Sequence, residues 1–333
     1  MSDPVEDVRT GGGATTRLAT GRRSGRSGVL RVVLAGMVSL CVLGGAAACT
    51  GDTPSTDQSA TGVADPARLE SSLGELRESL GAPWGVAVPG LTATLTTGDD
   101  EVAITTAVSG AADPPGATPL VDRDRFHVGS VTKTFTAALI MQLDQDGLLS
   151  LDDPIDNWVE FPNGDAITVE MLLGHTSGLP EYYELPGATD TTTPAQAIDL
   201  VAAAPVLATA GSEFSYANTN YLLLGQIAER VTGTTWIQEV QQRFIEPFGL
   251  TDTSVWTGEA QGSTVTGSRM ECDYPGEAPC DPPRPLPLVP VDDNAFWANS
   301  WAAGALVSTP ADLARWMRAL VMGEVVDRDH VDL

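Results

Sequence analysis

The hydrophobic patterning of this chain changes once along its length, and that change limits the folds open to it. Trp84 to Val88, Leu91 to Thr97 and Val102 to Ser109 have the short runs of strands, and Gly98-Asp99-Asp100-Glu101 predicts a turn joining the last two into a hairpin. Residues 110–125 read as loop, rich in Pro, Gly and Asp. Beyond it the period is helical. A long apolar helix is expected from about Ser130 to Asp146, stopped at Gly147, with further helices over 168–174, 194–203, 219–232, 235–246 and 310–321. Leu69, Leu73, Leu76 and Leu80 place one more helix ahead of the strands. Thr193-Pro194 and Thr309-Pro310 each look like an N-cap followed by Pro at the first helical position. Strands first and then a block of mostly helices is an α+β order, not alternating βαβ units. No internal repeat is visible.

The chain has 333 residues, enough to bury a sizeable core. Asp and Glu number 44 against 18 Lys and Arg, a net charge of −26. That balance argues against a nucleic acid partner, because phosphate backbones are held by clustered Lys and Arg. No His/Cys/Asp cluster has metal-ligand spacing, and the Gly11-Gly12-Gly13 run lies in the amino-terminal segment rather than in a phosphate loop. No metal or cofactor is expected.

The amino terminus reads as a targeting signal. Arg9, Arg17, Arg22, Arg23, Arg26 and Arg31 precede an apolar run from Val32 to Ala48, which ends in Ala46-Ala47-Ala48-Cys49. A Cys directly after small residues predicts a lipoprotein signal over 1–48, with Cys49 as the lipid-bearing first residue. An uncleaved membrane anchor and simple secretion are the alternatives, and Arg22-Arg23 lacks the tail of a twin-arginine signal. All three place the remainder outside the cytoplasm, and the first holds it at the outer face of the cell membrane. Residues 49–64 are a polar tether with no apolar period, followed by a folded domain over 65–333. Cys272 and Cys280 flank a short Pro/Gly loop and could pair as a local staple in an oxidising compartment.

Two residue pairs carry chemistry. Ser130-Val131-Thr132-Lys133 opens the long helix, and residues three apart share a helix face, so Ser130 Oγ and Lys133 Nζ can meet. A serine hydroxyl is a weak nucleophile until a neighbouring base takes its proton. A Lys serves as that base only if burial or nearby cations lower its pKa. Lys133 is the single Lys of the chain; every other cationic side chain is Arg, which stays charged. The plain alternative is an exposed helical Lys. The second pair is Tyr216-Ala217-Asn218, just before a helix start at Thr219 or Asn220. In an extended segment Tyr216 and Asn218 point the same way, giving a phenol that can relay a proton and an amide that can hold a substrate carbonyl or touch Lys133. The alternative is a core Tyr beside a turn-forming Asn.

With both pairs in view the chain resembles the serine β-lactamase and penicillin-binding protein superfamily, closest to class C β-lactamases and DD-carboxypeptidase/esterase-type hydrolases. The resemblance runs from about Trp84 to Met322. It includes Phe126 to Lys133, Leu172-Leu173-Gly174-His175-Thr176-Ser177-Gly178-Leu179-Pro180, Phe214 to Tyr221, Leu224-Gly225, and Ala303 to Thr309 ahead of Asp312-Leu313-Ala314. It implies a β-lactamase/DD-peptidase-like fold, an antiparallel sheet flanked by helices plus a mostly helical subdomain. It also implies an acyl-enzyme mechanism on a β-lactam, a D-Ala-D-Ala peptide or a small ester. Ser130 would attack, Lys133 and Tyr216 would share the base and acid roles, and Asn218 would bind substrate. Which of Lys133 and Tyr216 is the base stays open. His175 is expected to be structural, since no Gly-x-Ser-x-Gly elbow accompanies it. The family's third motif, Lys-Thr-Gly or His-x-Gly on a strand beside the nucleophile, has no counterpart: no Lys follows Lys133, and His330 is followed by Val331-Asp332-Leu333. On the resemblance Leu333 reads as a truncation point or a lost coding frame, with the carboxy-terminal strands missing and one oxyanion donor absent. A non-catalytic binding lipoprotein, or an inactive and aggregation-prone fragment, is therefore the alternative function.

Overall fold

A computed structural model describes residues 65–81, 88–97, 103–112, 118–258, 264–265, 268–270, 288–290 and 294–327. The signal, the tether, Cys49, Cys272, Cys280, the turn at 98–101, most of the strand expected over 84–88 and His330 lie outside them. The first element is helix α1 (Pro66–Gly81), then an antiparallel hairpin, β1 (Gly90–Thr97) with β2 (Ala103–Gly110), in register from Gly90 opposite Gly110 to Thr97 opposite Ala103. Helix α1 lies along this hairpin. Arg77 ties it down through Nε to Ser109 Oγ at 3.0 Å and a guanidinium N–H to Val88 O at 3.0 Å. Leu73 is buried there, whereas Leu76 and Leu80, on the same predicted stripe, are about half exposed.

The chain then enters the helical block through strand β3 (Phe126–His127) and helix α2 (Thr132–Gln145). Helix α2 is the centre of the molecule. Phe135, Leu139, Ile140 and Leu143 are fully buried, and so are residues on its other faces. It ends at Gly147, whose φ of +69° is the left-handed cap the sequence predicts. Around it stand α3 (Val169–Leu173), α4 (Pro194–Ala202), α5 (Asn218–Thr232) and α6 (Trp236–Val240), the last running on into one π turn over Gln241–Ile245. Thr193 and Thr235 both form full capping boxes, with Gln196 and Gln238 closing them.

Strand β4 (Ser254–Val255) follows, then a small separate pair, β5 (Ser268–Met270) with β6 (Leu288–Pro290). The chain closes with α7 (Asn294–Gly304), β7 (Leu306–Ser308) and α8 (Pro310–Met322), capped by Thr309 with Pro310 at N1, as predicted. Strand β7 is buried and lies between β3 and β4, antiparallel to both, in a three-stranded sheet. Helix α8 packs on β1 and β2 and so joins the hairpin to the helical block.

The Thr side chains of α2 tie it to the carboxy-terminal elements. Leu306 N donates to Thr132 Oγ1 at 3.1 Å, Trp316 Nε1 to Thr134 Oγ1 at 2.9 Å, and Thr136 Oγ1 to Ala302 O at 2.7 Å. Buried polar atoms are thereby satisfied by distant partners, which fixes α2 in register with β7, α8 and α7 at once. The architecture is α+β, as the order of sequence patterns predicts.

Candidate active site

The turn Gly129–Val131 carries the chain from β3 into α2, with Gly129 at φ +52°, a left-handed conformation that suits glycine. Ser130 sits on this 3₁₀ turn, two residues ahead of α2 rather than inside its first turn, and is exposed. Lys133, one turn on, is 4% exposed. Two residues so close in sequence thus have opposite environments, an open hydroxyl above a buried amine.

Two further segments reach the amine. Lys133 Nζ lies 2.6 Å from Asn218 Oδ1, 2.8 Å from Ala303 O and 3.2 Å from Ser130 Oγ. Ser130 Oγ is in turn 2.7 Å from the Tyr216 hydroxyl. Ser130, Lys133, Tyr216 and Asn218 are therefore brought into one hydrogen-bonded group. Burial pushes the Lys133 amine down to about 7, with the Glu181 charge acting in the opposite direction. Burial raises the Tyr216 phenol, only partly offset by its bond to Ser130.

At a pH near that value the geometry distinguishes the two forms of Lys133. The ammonium has three protons for three acceptors. The neutral amine has two, and Asn218 Oδ1 and Ala303 O are the shorter contacts. The lone pair is then left facing Ser130 Oγ, the arrangement of a base.

Ala303 reaches Lys133 through a strained turn. Trp301, within α7, has φ 39° and ψ −122°, an unfavourable conformation for a non-glycine residue. It breaks the helix so that Ala302 O meets Thr136 and Ala303 O meets Lys133. Space for this comes from Gly225 on α5. A Cβ there would lie 2.6 Å from the Ala302 side chain and 2.9 Å from the Trp301 ring.

His175 lies behind the tyrosine rather than beside Ser130. Its ring stacks on Tyr216 with centroids 4.4 Å apart. Its Nδ1 accepts from Ala217 N at 3.3 Å and lies 3.1 Å from Asn220 Nδ2. The acceptor role toward Ala217 N–H places the neutral ring's proton on Nε2. Burial and the Lys133 charge hold the imidazole down at about 4. Ser177 donates to Asn220 Oδ1 at 2.5 Å, not to the ring, so no Ser-His pair forms at Ser177.

The segment after His175 also holds the loop that leads to Tyr216. Leu207 N donates to Gly178 O, Gly211 N to Thr176 O and Ser215 N to His175 O, at 2.7–2.8 Å. One residue past Pro180 stands Glu181, which the motif reading does not reach. It is buried and accepts from Asn218 N at 2.6 Å through Oε2. The other missed participant, the Ala303 carbonyl, is a backbone atom and leaves no side-chain signal. Among the described residues no three His, Cys, Asp or Glu side chains converge as metal ligands.

Comparison with known proteins decides the family. The family model described as Beta-lactamase matches residues 76–333. The chain belongs to the β-lactamase family. It is 31% identical over 199 residues to penicillin-binding protein 4 of Amycolatopsis lactamdurans, 58% of this chain and 50% of that protein. It is 26% identical over 219 residues to the D-alanyl-D-alanine-carboxypeptidase/endopeptidase AmpH of Escherichia coli strain K12, 61% of this chain and 51% of that protein. The chain spans about half the length of these two relatives. Among solved structures it resembles the D-amino acid amidase of Ochrobactrum anthropi SV3, with a TM-score of 0.66 and 27% identity over 80% of this chain and 73% of that one. The β-lactamase-family fold expected from the motifs is thus the fold observed.

Proposed function

We propose that this β-lactamase-family chain is a serine hydrolase that works through an acyl-enzyme on Ser130, with Lys133 as its base. The observation that carries this reading is the Lys133 amine, buried, lowered to about 7, with two short acceptors and the third direction turned to Ser130 Oγ. Lys133 takes the Ser130 proton as Oγ bonds to the substrate carbonyl carbon. The turn and helix that follow Ser130 direct their positive end toward the oxygen that gains charge. Tyr216, raised rather than lowered, stays a phenol. Its hydroxyl, 2.7 Å from Oγ, delivers a proton to the leaving nitrogen as the carbon–nitrogen bond breaks. Asn218 is shared between Lys133 and the substrate amide. The Lys133 ammonium then passes its proton back to the Tyr216 phenolate, by way of the surroundings of Ser130 Oγ. A water attacks the acyl carbon; its hydroxide leaves with the acyl group as the acid, and its remaining proton returns to Ser130 Oγ.

The substrate class follows from the relatives. Penicillin-binding protein 4, AmpH and the D-amino acid amidase are named for penicillin, D-alanyl-D-alanine peptides and D-amino acid amides, so an acyl group with D configuration or its β-lactam analogue is the substrate to try first. A D-Ala-D-Ala peptide belongs to the cell wall, which agrees with the export signal and the lipid anchor at Cys49 that the sequence predicts. Among the described residues no helix is long and apolar enough to cross a membrane.

The test is an intact-mass spectrum of the protein after mixing with benzylpenicillin. An added penicilloyl mass on Ser130, absent in Ser130→Ala, is expected. No adduct and no hydrolysis of a D-Ala-D-Ala peptide or D-phenylalanine amide by a folded sample would overturn the reading and favour the binding protein.

A further inference from the structure

Glu181 is a buried acid at the edge of the catalytic group. It is 7% exposed and lies on the segment that follows Pro180, just ahead of the turn Tyr182–Glu184. Its Oε2 accepts from Asn218 N, the first residue of α5, whose N-cap, Ala217, has no side chain to offer. A carboxylate therefore caps α5 from outside the helix, where the positive end of the helix favours it. Asn218 is the residue whose Oδ1 makes the shortest contact with Lys133. The carboxylate is thus one residue removed from the base.

The charges around this pair are few. Lys133 faces Ser130 on its own segment, Tyr216, Asn218 and Tyr221 at the start of α5, Ala303 O from α7, and His175 and Glu181 from the segment after α3. The tyrosines are neutral phenols, and His175 is neutral above about 4. Glu181 itself faces Tyr182, Tyr183, Tyr216 and Lys133. Among the described residues it is the acid whose field acts on Lys133. Its own pKa is raised by burial and lowered in part by the bonds of the backbone N–H groups around it and by the Lys133 charge.

We propose that Glu181 is a positioning residue for the base: its carboxylate holds Asn218 against Lys133 and supplies the counter-charge for the ammonium formed when Lys133 takes the serine proton. The role of Lys133 as base rests on the function proposed above, but the placement and charge of Glu181 do not. The two parts of the role separate by substitution. Glu181→Gln keeps an oxygen for Asn218 N and removes the charge. Glu181→Asp keeps the charge and withdraws the oxygen from Asn218 N.

The chain has a single Lys, so labelling lysine with ¹³C at Cε gives one resonance, and its titration reads Lys133 directly without turnover. The wild type is expected to titrate near pH 7. Loss of the negative field removes the influence that raises the amine, so Glu181→Gln is expected to titrate roughly half a unit or more lower. Glu181→Asp is expected to stay within about half that shift of wild type while acylation by benzylpenicillin slows about tenfold or more. An unmoved midpoint in folded Glu181→Gln would overturn the counter-charge. Wild-type acylation rates in Glu181→Asp would overturn the positioning. If Glu181→Gln does not fold, Glu181→Ala takes its place in the titration, and an unmoved midpoint there would overturn the counter-charge. A wild type that never reacts with penicillin but shows the Glu181→Gln shift would remove the proposed reaction and leave the counter-charge standing.

Discussion

The helical block and the β1–β2 hairpin are held in different ways. Helix α2 has fully buried side chains on several faces and sends three Thr hydroxyls to three distant elements. The hairpin is two strands wide among the described residues, its side chains are mostly half-buried, and Leu95 is 44% exposed. It is fastened by α1, α8 and the two bonds of Arg77. Every group that touches Lys133 comes from the helical block or its approach segments. The stiff part of the molecule is therefore the part that must hold a buried amine to its acceptors, and a two-stranded hairpin contributes little stability by itself.

The difference can be broken most forcefully at Phe135, whose ring stacks on Trp316 at 3.9 Å between centroids. Phe135→Ala is expected to cost about 3–5 kcal/mol in urea unfolding and to abolish penicillin labelling at temperatures where the wild type labels. A loss under about 1 kcal/mol would show that the block is no better packed than the hairpin.

The pH dependence of stability is the next largest effect. His175 has an ordinary pKa of 6.5 and is held near 4 in the fold. The unfolded chain thus binds its proton first as pH falls. The contribution is complete above 6.5 and is lost between 6.5 and 4, up to about 3 kcal/mol. His175→Asn tolerates the φ of 55° and removes the titration, so the drop in unfolding free energy from pH 7 to pH 4.5 should shrink in that variant. An equal drop in both proteins would remove His175 as the cause.

Gly225→Ala sharpens the comparison inside the block. The added methyl meets Ala302 and Trp301, and an overpacked contact of this kind costs about 1–3 kcal/mol. Displacing Ala302 and Ala303 should also move the Lys133 resonance away from its wild-type midpoint. Last and smallest, Leu95→Thr on the hairpin should change stability by less than about 0.5 kcal/mol and leave Lys133 unmoved. A large effect there would mean that the exposed strand face is covered in the folded protein.

Much of this was legible in the residue order. Helices α1, α2, α4, α5 and α8 follow apolar periods, and Thr193-Pro194 and Thr309-Pro310 mark starts that the structure shares. That Ser130, Lys133, Tyr216 and Asn218 would meet was readable because their types and spacings are rare together. Strands β3, β4 and β7 were not, since two or three residues are too few to show a period of two. Helix α7 was hidden by its apolar composition and by the break at Trp301, which lies close against Gly225. Glu181 was missed because its meaning lies in Asn218, 37 residues on, and not in its neighbours.

The reach of Lys133 sets an order of events during synthesis. Its partners Asn218 and Ala303 follow it by 85 and 170 residues. As the chain emerges from amino to carboxy end, α2 is made long before the carbonyl that completes its pocket. Until residue 303 is in place the amine lacks one of the acceptors that surround it in the folded protein. The closed environment of Lys133 is consequently among the last features of the molecule to come into being.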